Sequence, residues 1–215
     1  AVLKKYDILF IDDEVICGFG RTGHAFGAEA FAIQPDTMSV AKALSSAYLP
    51  ISAVLIPDAM FAAFAERSND LGNFAHGFTY SGHPVCAAVA LRNLEIMEEL
   101  SLFTHARQMG IILQTRLREF AEHPLVGEVR GEGLLAGVEL VKQQQPRTPF
   151  AASDGVGAYC AKACEEAGLI VRNLGDTLAF CPPLIINEDQ VHELIDKFGR
   201  GLEATYAWVR KQSLT

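Results

Sequence analysis

Short apolar runs and amphipathic stripes alternate over the first hundred residues. Ile8-Leu-Phe-Ile11 is apolar and ends in acids, which predicts a buried parallel strand. Met38-Ser-Val-Ala41 and Ile51-Ser-Ala-Val-Leu-Ile56 predict two more strands. Asp58 is placed to cap a helix over 59–66. Residues 67–83 are rich in Asn, Gly, Ser and His, a loop long enough to suspect function. Pro84 opens a helical pattern through Leu100, with Val85, Ala88, Val89 and Leu91 as its apolar stripe. A second helix restarts at Ser101 and should end near His123-Pro124.

The texture changes after Pro124. Residues 131–140 read as a turn followed by a strand, and 143–149 as a polar, proline-bearing loop. Ser153 is the expected cap of a helix through Glu166, with Gly168 closing it. Leu169-Ile-Val171 and Leu178-Ala-Phe180 predict short strands around a Gly175-Asp176 turn. Asn187 caps a final helix to about Lys211. The pattern predicts a boundary within 101–124, with an α/β part before it and an α+β part after it.

Half of the 215 residues are hydrophobic and one-fifth are charged, so the chain can bury a core and is not a disordered protein. A net charge of −8 argues against nucleic acid as the main partner. No uncharged apolar run approaches ~18 residues, so no membrane span is expected. Acids at 7, 12 and 13 interrupt the first apolar run, which does not read as a signal peptide. Five scattered cysteines fit reduced thiols and a cytoplasmic setting. Cys160 and Cys164 share a helix face, and the plain reading is two small buried hydrophobes rather than half a metal site. Two oddities remain. The chain starts without methionine, straight into strand-like sequence, and Lys42 is the one lysine between Lys5 and Lys142.

Four stretches could carry chemistry. Asp12-Asp-Glu14 follows a strand, where open α/β sheets bind ligands. Taken alone it is equally a solvated strand end, or the Mg²⁺-holding acids of a P-loop ATPase. Gly18-Phe-Gly-Arg-Thr-Gly23 is a tight turn or a close backbone approach, and it matches neither phosphate-loop fingerprint. Lys42 ends a strand among small apolar residues. A partly buried amine there would have its pKa lowered and could act as a nucleophile. Gly77-Phe-Thr-Tyr-Ser-Gly-His-Pro84 sets hydroxyls before a helix, which suits a phosphate or an ordinary loop capped by Ser81.

Together these stretches resemble the class III (ω-amino acid) aminotransferases. The resemblance rests on Asp13-Glu14-Val15, the loop 18–23, Lys42, Tyr48-Leu-Pro-Ile-Ser-Ala-Val54, Thr79-Tyr-Ser-Gly-His-Pro84 and Cys181-Pro-Pro-Leu184. It covers nearly the whole chain and displaces the ATPase reading. It implies an aspartate-aminotransferase-like (type I) α/β fold with a mixed, mostly parallel sheet. Residues 1–105 would be part of the large coenzyme-binding domain and 106–215 a small α+β C-terminal domain.

The resemblance also implies pyridoxal 5′-phosphate as the cofactor and assigns roles. Lys42 would form the Schiff base and then shuttle a proton, and Asp13 would pair with the pyridine nitrogen. Val15 would pack on the ring. Phe78 and Thr79 would bind the cofactor, Thr79 holding phosphate in the partner subunit's site of a homodimer. Glu14, Phe19 and Arg21 match the motif with structural roles only. Arg172 matches the arginine that grips a substrate carboxylate in the ω-amino acid:pyruvate branch; the alternative is a surface arginine on an edge strand. Ala179 stands where ornithine-type branches place arginine, which favours an ω-amino acid or amine donor with pyruvate or another keto acid as acceptor. No metal is implied. Aminomutase and decarboxylase branches share the Asp and Lys. The phosphate-binding Gly-Ser segment of the family should lie upstream of residue 1, so the chain is expected to be the C-terminal half of such an enzyme, and alone a catalytically incomplete piece.

Overall fold

The computed structural model describes residues 2–214, and the chain divides into two units. One runs to Gly20 and resumes over His24–Leu102; the other takes Arg21–Gly23 and everything from Phe103.

The first unit contains α1 (Val2–Lys5), β1 (Ile11–Asp13), α2 (Gly27–Ala30), β2 (Thr37–Val40), β3 (Ala53–Leu55), α3 (Asp58–Leu71) and α4 (Pro84–Glu99). Its sheet is mixed, in the order β1-β2-β3. β1 and β2 run parallel with Asp13 opposite Ser39, and β2 and β3 run antiparallel. β1 begins later than the apolar run suggests, and Ile8, Leu9 and Ile11 are exposed. The cause lies on the neighbouring segment. Asp36 clamps Phe10 through both backbone and carboxylate, and Pro35 before it has no N–H with which to extend the ladder. α3 starts at Asp58 itself, after Pro57, with no side-chain cap, and runs five residues past 66 until Gly72 stops it at φ +81°. The apolar stripe of α4 is also rotated from the expected one. Ala90 and Met97 are buried, whereas Val85 and Leu91 face outward.

The second unit contains α5 (Leu102–Arg118), β4 (Val126–Glu132), β5 (Leu135–Leu140), α6 (Val156–Glu166), β6 (Arg172–Leu174), β7 (Thr177–Phe180) and α7 (Glu188–Lys211). Its sheet is antiparallel, in the order β4-β5-β7-β6. The helices cover it with Leu113, Leu117, Cys160, Cys164, Ile195, Phe198 and Leu202, all buried. Phe198 meets Phe120 and Phe180 edge-on, with centroids 5.2 and 5.0 Å away. Cys164 lies so close to Gly201 that any larger residue there would clash. Its bond to Cys160, together with burial, pushes the Cys164 thiol up, so it packs as a neutral hydrophobe.

Caps set the helix ends here. Asn187 Oδ1 accepts from Gln190 N at 2.9 Å, and Gln190 Oε1 accepts from Asn187 N at 3.1 Å, a reciprocal box that starts α7. Gly168 follows α6 at φ +86°. Ser153, by contrast, does not cap α6. It sits in a separate 3₁₀ turn, Ala152–Asp154, closed by Asp154 Oδ2 on Ala151 N, and α6 begins after left-handed Gly155. The apolar 169–171 segment stays outside β6, which pairs from Arg172.

Candidate active site

β1 and β2 end side by side, and the candidate chemistry sits at that end. Asp13 is the last residue of β1; Lys42 follows β2 after Ala41 and opens a 3₁₀ turn, Lys42–Leu44. The parallel register, with Asp13 opposite Ser39, brings the carboxylate and the amine to the same edge, the carboxyl end of the strands. Asp13 is exposed, and one of its oxygens accepts from Val15 N at 3.1 Å. Lys42 is exposed rather than partly buried, because it follows β2 in a surface turn instead of lying within the strand. Its amine has no ion pair among the described residues.

Glu14 carries the strand end. Its side chain is 1% exposed, its Oε1 accepts from Ala28 N at 2.7 Å, and its backbone N–H donates to Ser39 O at 2.9 Å. Gly27 packs tightly here: a Cβ would lie 3.3 Å from both Glu14 oxygens and 3.1 Å from Cys17 Cβ, so those side chains would have to shift. Asp12 Oδ2 and Glu14 Oε2 are both buried and meet no N–H or hydroxyl donor, so only a proton on one carboxyl can join them. Burial first, and the neighbouring Glu14 second, push the Asp12 carboxyl above the usual range.

The turn after β2 is unusual in its backbone. Lys42, Ser46 and Ala47 take φ of +42°, +49° and +61°, a region that side-chain-bearing residues seldom occupy. Asn93 of α4 bonds this turn three times. Its amide nitrogen donates to Ala43 O at 2.8 Å and Leu44 O at 3.1 Å, and its oxygen accepts from Ser46 Oγ at 2.7 Å. Ser45 Oγ donates to Leu49 O at 2.6 Å. Nothing in the pattern of residues marks Asn93 as a partner, because it lies about fifty residues from the turn and reads as the polar side of a helix.

The other expected residues lie elsewhere. Phe78 and Thr79 are on the exposed loop before α4, and no hydrogen bond among the described residues joins them to Asp13 or Lys42. Ser81 does not cap α4; its hydroxyl accepts from Phe78 N at 2.8 Å, and the His83 ring accepts from Val85 N instead. Arg172 belongs to the second unit, exposed on the edge strand β6 opposite Ala179. Arg21 is also in the second unit. Its guanidinium donates to Leu134 O at 3.3 Å and to Pro182 O, and its own carbonyl accepts from Leu134 N. Arg107 doubly bonds Gly23 O, so the tripeptide 21–23 is stitched at both ends.

The donor set suits an aldehyde coenzyme with a basic ring nitrogen. An unpaired primary amine can condense with the aldehyde, and an open carboxylate can hold a proton on the ring. Comparison with known proteins points the same way. The family model described as Aminotransferase class-III matches residues 1–202. The chain is 48% identical over 205 residues to "Gamma aminobutyrate transaminase 3, chloroplastic" of Solanum lycopersicum, covering 95% of this chain and 39% of that relative. It is 44% identical to "Vanillin aminotransferase" of Capsicum chinense, of which it covers 45%. Among solved structures, an omega transaminase from Pseudomonas jessenii in complex with PMP matches with a TM-score of 0.93 and 53% identity, over 97% of this chain and 46% of that one. The chain thus spans less than half the length of the relatives it matches.

Proposed function

Because this chain belongs to the class-III aminotransferases, whose cofactor is pyridoxal phosphate, we propose that it is the C-terminal half of a transaminase. The reaction moves an amino group from an ω-amino acid or amine to pyruvate or another keto acid. The observation that carries this reading is the juxtaposition of Asp13 and unpaired Lys42 at the ends of two adjacent parallel strands. Residues 1–105 then contribute to the coenzyme-binding domain and 106–215 form the small domain. The apolar surface of the first unit, with Ile8, Leu9, Ile11, Val54 and Leu55 exposed, supports a larger sheet in the whole enzyme.

Bound pyridoxal phosphate supplies an electron sink for the charge left when the substrate Cα loses its proton. Lys42 would hold the coenzyme through its amine and would move the proton at the substrate Cα. Asp13 would hold a proton on the ring nitrogen, and Val15 would line the ring. Phe78 and Thr79, on the exposed loop, would help hold the coenzyme, Thr79 through its phosphate in the second subunit of a homodimer. Arg172 grips a substrate carboxylate, for which a planar guanidinium is well shaped. A reduced compartment such as the cytoplasm suits five free cysteines, although relatives carry chloroplastic and mitochondrial names. No helix among the described residues is long and apolar enough to cross a membrane.

The test is a panel of ω-amino acids and amines with pyruvate and the full-length protein, read as alanine formed. Alanine from at least one donor, lost on Lys42→Ala, is expected. Carboxyl loss from the donor, or an amino shift within it, without alanine would move the chain to a decarboxylase or aminomutase.

A further inference from the structure

We propose that Asn93 is a positioning residue for Lys42, its side-chain amide holding the backbone turn that presents the amine. This rests on the role given to Lys42 above. The turn needs an external hold. Three residues between 42 and 47 sit at positive φ without being glycine, and none of them is offset by a strand or a long helix of its own. Left-handed backbone at side-chain-bearing residues persists only where the surroundings impose it. Asn93 is the residue that imposes it. It bonds the carbonyls of Ala43 and Leu44 and the hydroxyl of Ser46, so its amide touches residues one, two and four positions beyond Lys42.

Asn93 is itself fixed. It lies between Ala90 and Met97 on the buried face of α4, and its amide nitrogen is 3.8 Å from Met97 sulfur. An asparagine suits this place because one planar group offers two donors and an acceptor. Aspartate lacks both donors and leucine lacks everything but the volume. Losing the amide removes the donor to Leu44 O, leaves Ala43 O only its backbone donors, and lets the turn relax toward ordinary φ, which re-aims the lysine.

The experiment uses the full-length enzyme stripped of coenzyme. On adding pyridoxal phosphate, the visible band of lysine-bound coenzyme is followed in time, and its pH midpoint is measured afterwards. Asn93→Ala should slow the appearance of the band by about tenfold or more, the effect of roughly one lost buried hydrogen bond or two. It should also move the midpoint and lower kcat while the KM for the amino donor stays within about twofold. Ser46→Ala, which removes one of the three bonds, should act in the same direction and less, and it decides the matter if Asn93→Ala does not fold. A normal rate and midpoint in a folded Asn93→Ala, or in Ser46→Ala if that variant must decide, overturns the proposal even if melting temperature falls. If the wild-type protein forms no such band at Lys42, the proposed function fails; if it does and the variants match it, only the role of Asn93 fails.

Discussion

The second unit closes a continuous apolar core, whereas the first buries few side chains and leaves much of its hydrocarbon exposed. Around Phe198 the second unit gathers Leu113, Leu117, Val138, Leu178, Ile195 and Leu202, all essentially inaccessible. In the first, Glu14, Thr37 and Ser45 are buried, while Ile11, Val54, Leu55 and Phe61 face outward. The chain spans less than half the length of its relatives, and the outward-facing hydrocarbon of the first unit suits a wider sheet. The second unit is held by packing, which is non-directional and tolerant of small shifts. In the first, hydrogen bonds of fixed direction, through Glu14, Asp36 and Asn93, tie the strand ends and the turn after β2.

The contrast can be broken by substitution. Phe198→Ala should cost about 3–5 kcal/mol of unfolding free energy in urea, since it removes a ring packed edge-on against two others. A loss under about 1 kcal/mol would show that the second unit does not depend on that core. Glu14→Ala should cost about 1–3 kcal/mol by leaving Ala28 N unpaired, a penalty of polar rather than apolar origin. Chemical denaturation checks it, and a neutral result would remove the polar half of the comparison.

Asn187→Ala should cost about 1 kcal/mol by removing the cap of α7, seen as a lower denaturation midpoint. The smallest effect is pH-dependent. The folded state raises the Asp12 carboxyl, so its stabilising contribution is present below the ordinary carboxylate range and lost as pH rises through the raised value. Asp12→Asn should therefore melt slightly higher than wild type near neutral pH and show no such advantage in acid. A higher melting point in acid alone would reverse the sign and contradict the account of that buried pair.

What the sequence made legible follows the same division. α7 reads directly from Asn187 and its regular apolar spacing, and α4 from Pro84. β4 does not, because Gly127 and Gly131 look like turn residues. Each is there for close approach: a Cβ at 127 would overlap Val141, and one at 131 would lie 2.7 Å from Gln114. In the first unit Asp13 and Lys42 were readable as types at a spacing, and β2 came out within a residue of its place. The start of β1 was hidden because Pro35 and Asp36, on another segment, decide where pairing begins. Glu14 was visible in the motif but its burial was not, and the hold of Asn93 on the lysine turn was invisible, since both depend on contacts between distant segments.

We propose that Lys42, in the turn that follows β2, carries the coenzyme. Borohydride reduction of the coenzyme-loaded full-length protein, followed by peptide mass mapping, tests it most directly. The account predicts a pyridoxyl group on the peptide containing Lys42, absent from Lys42→Ala. A label on any other lysine, or one that survives that substitution, would contradict it.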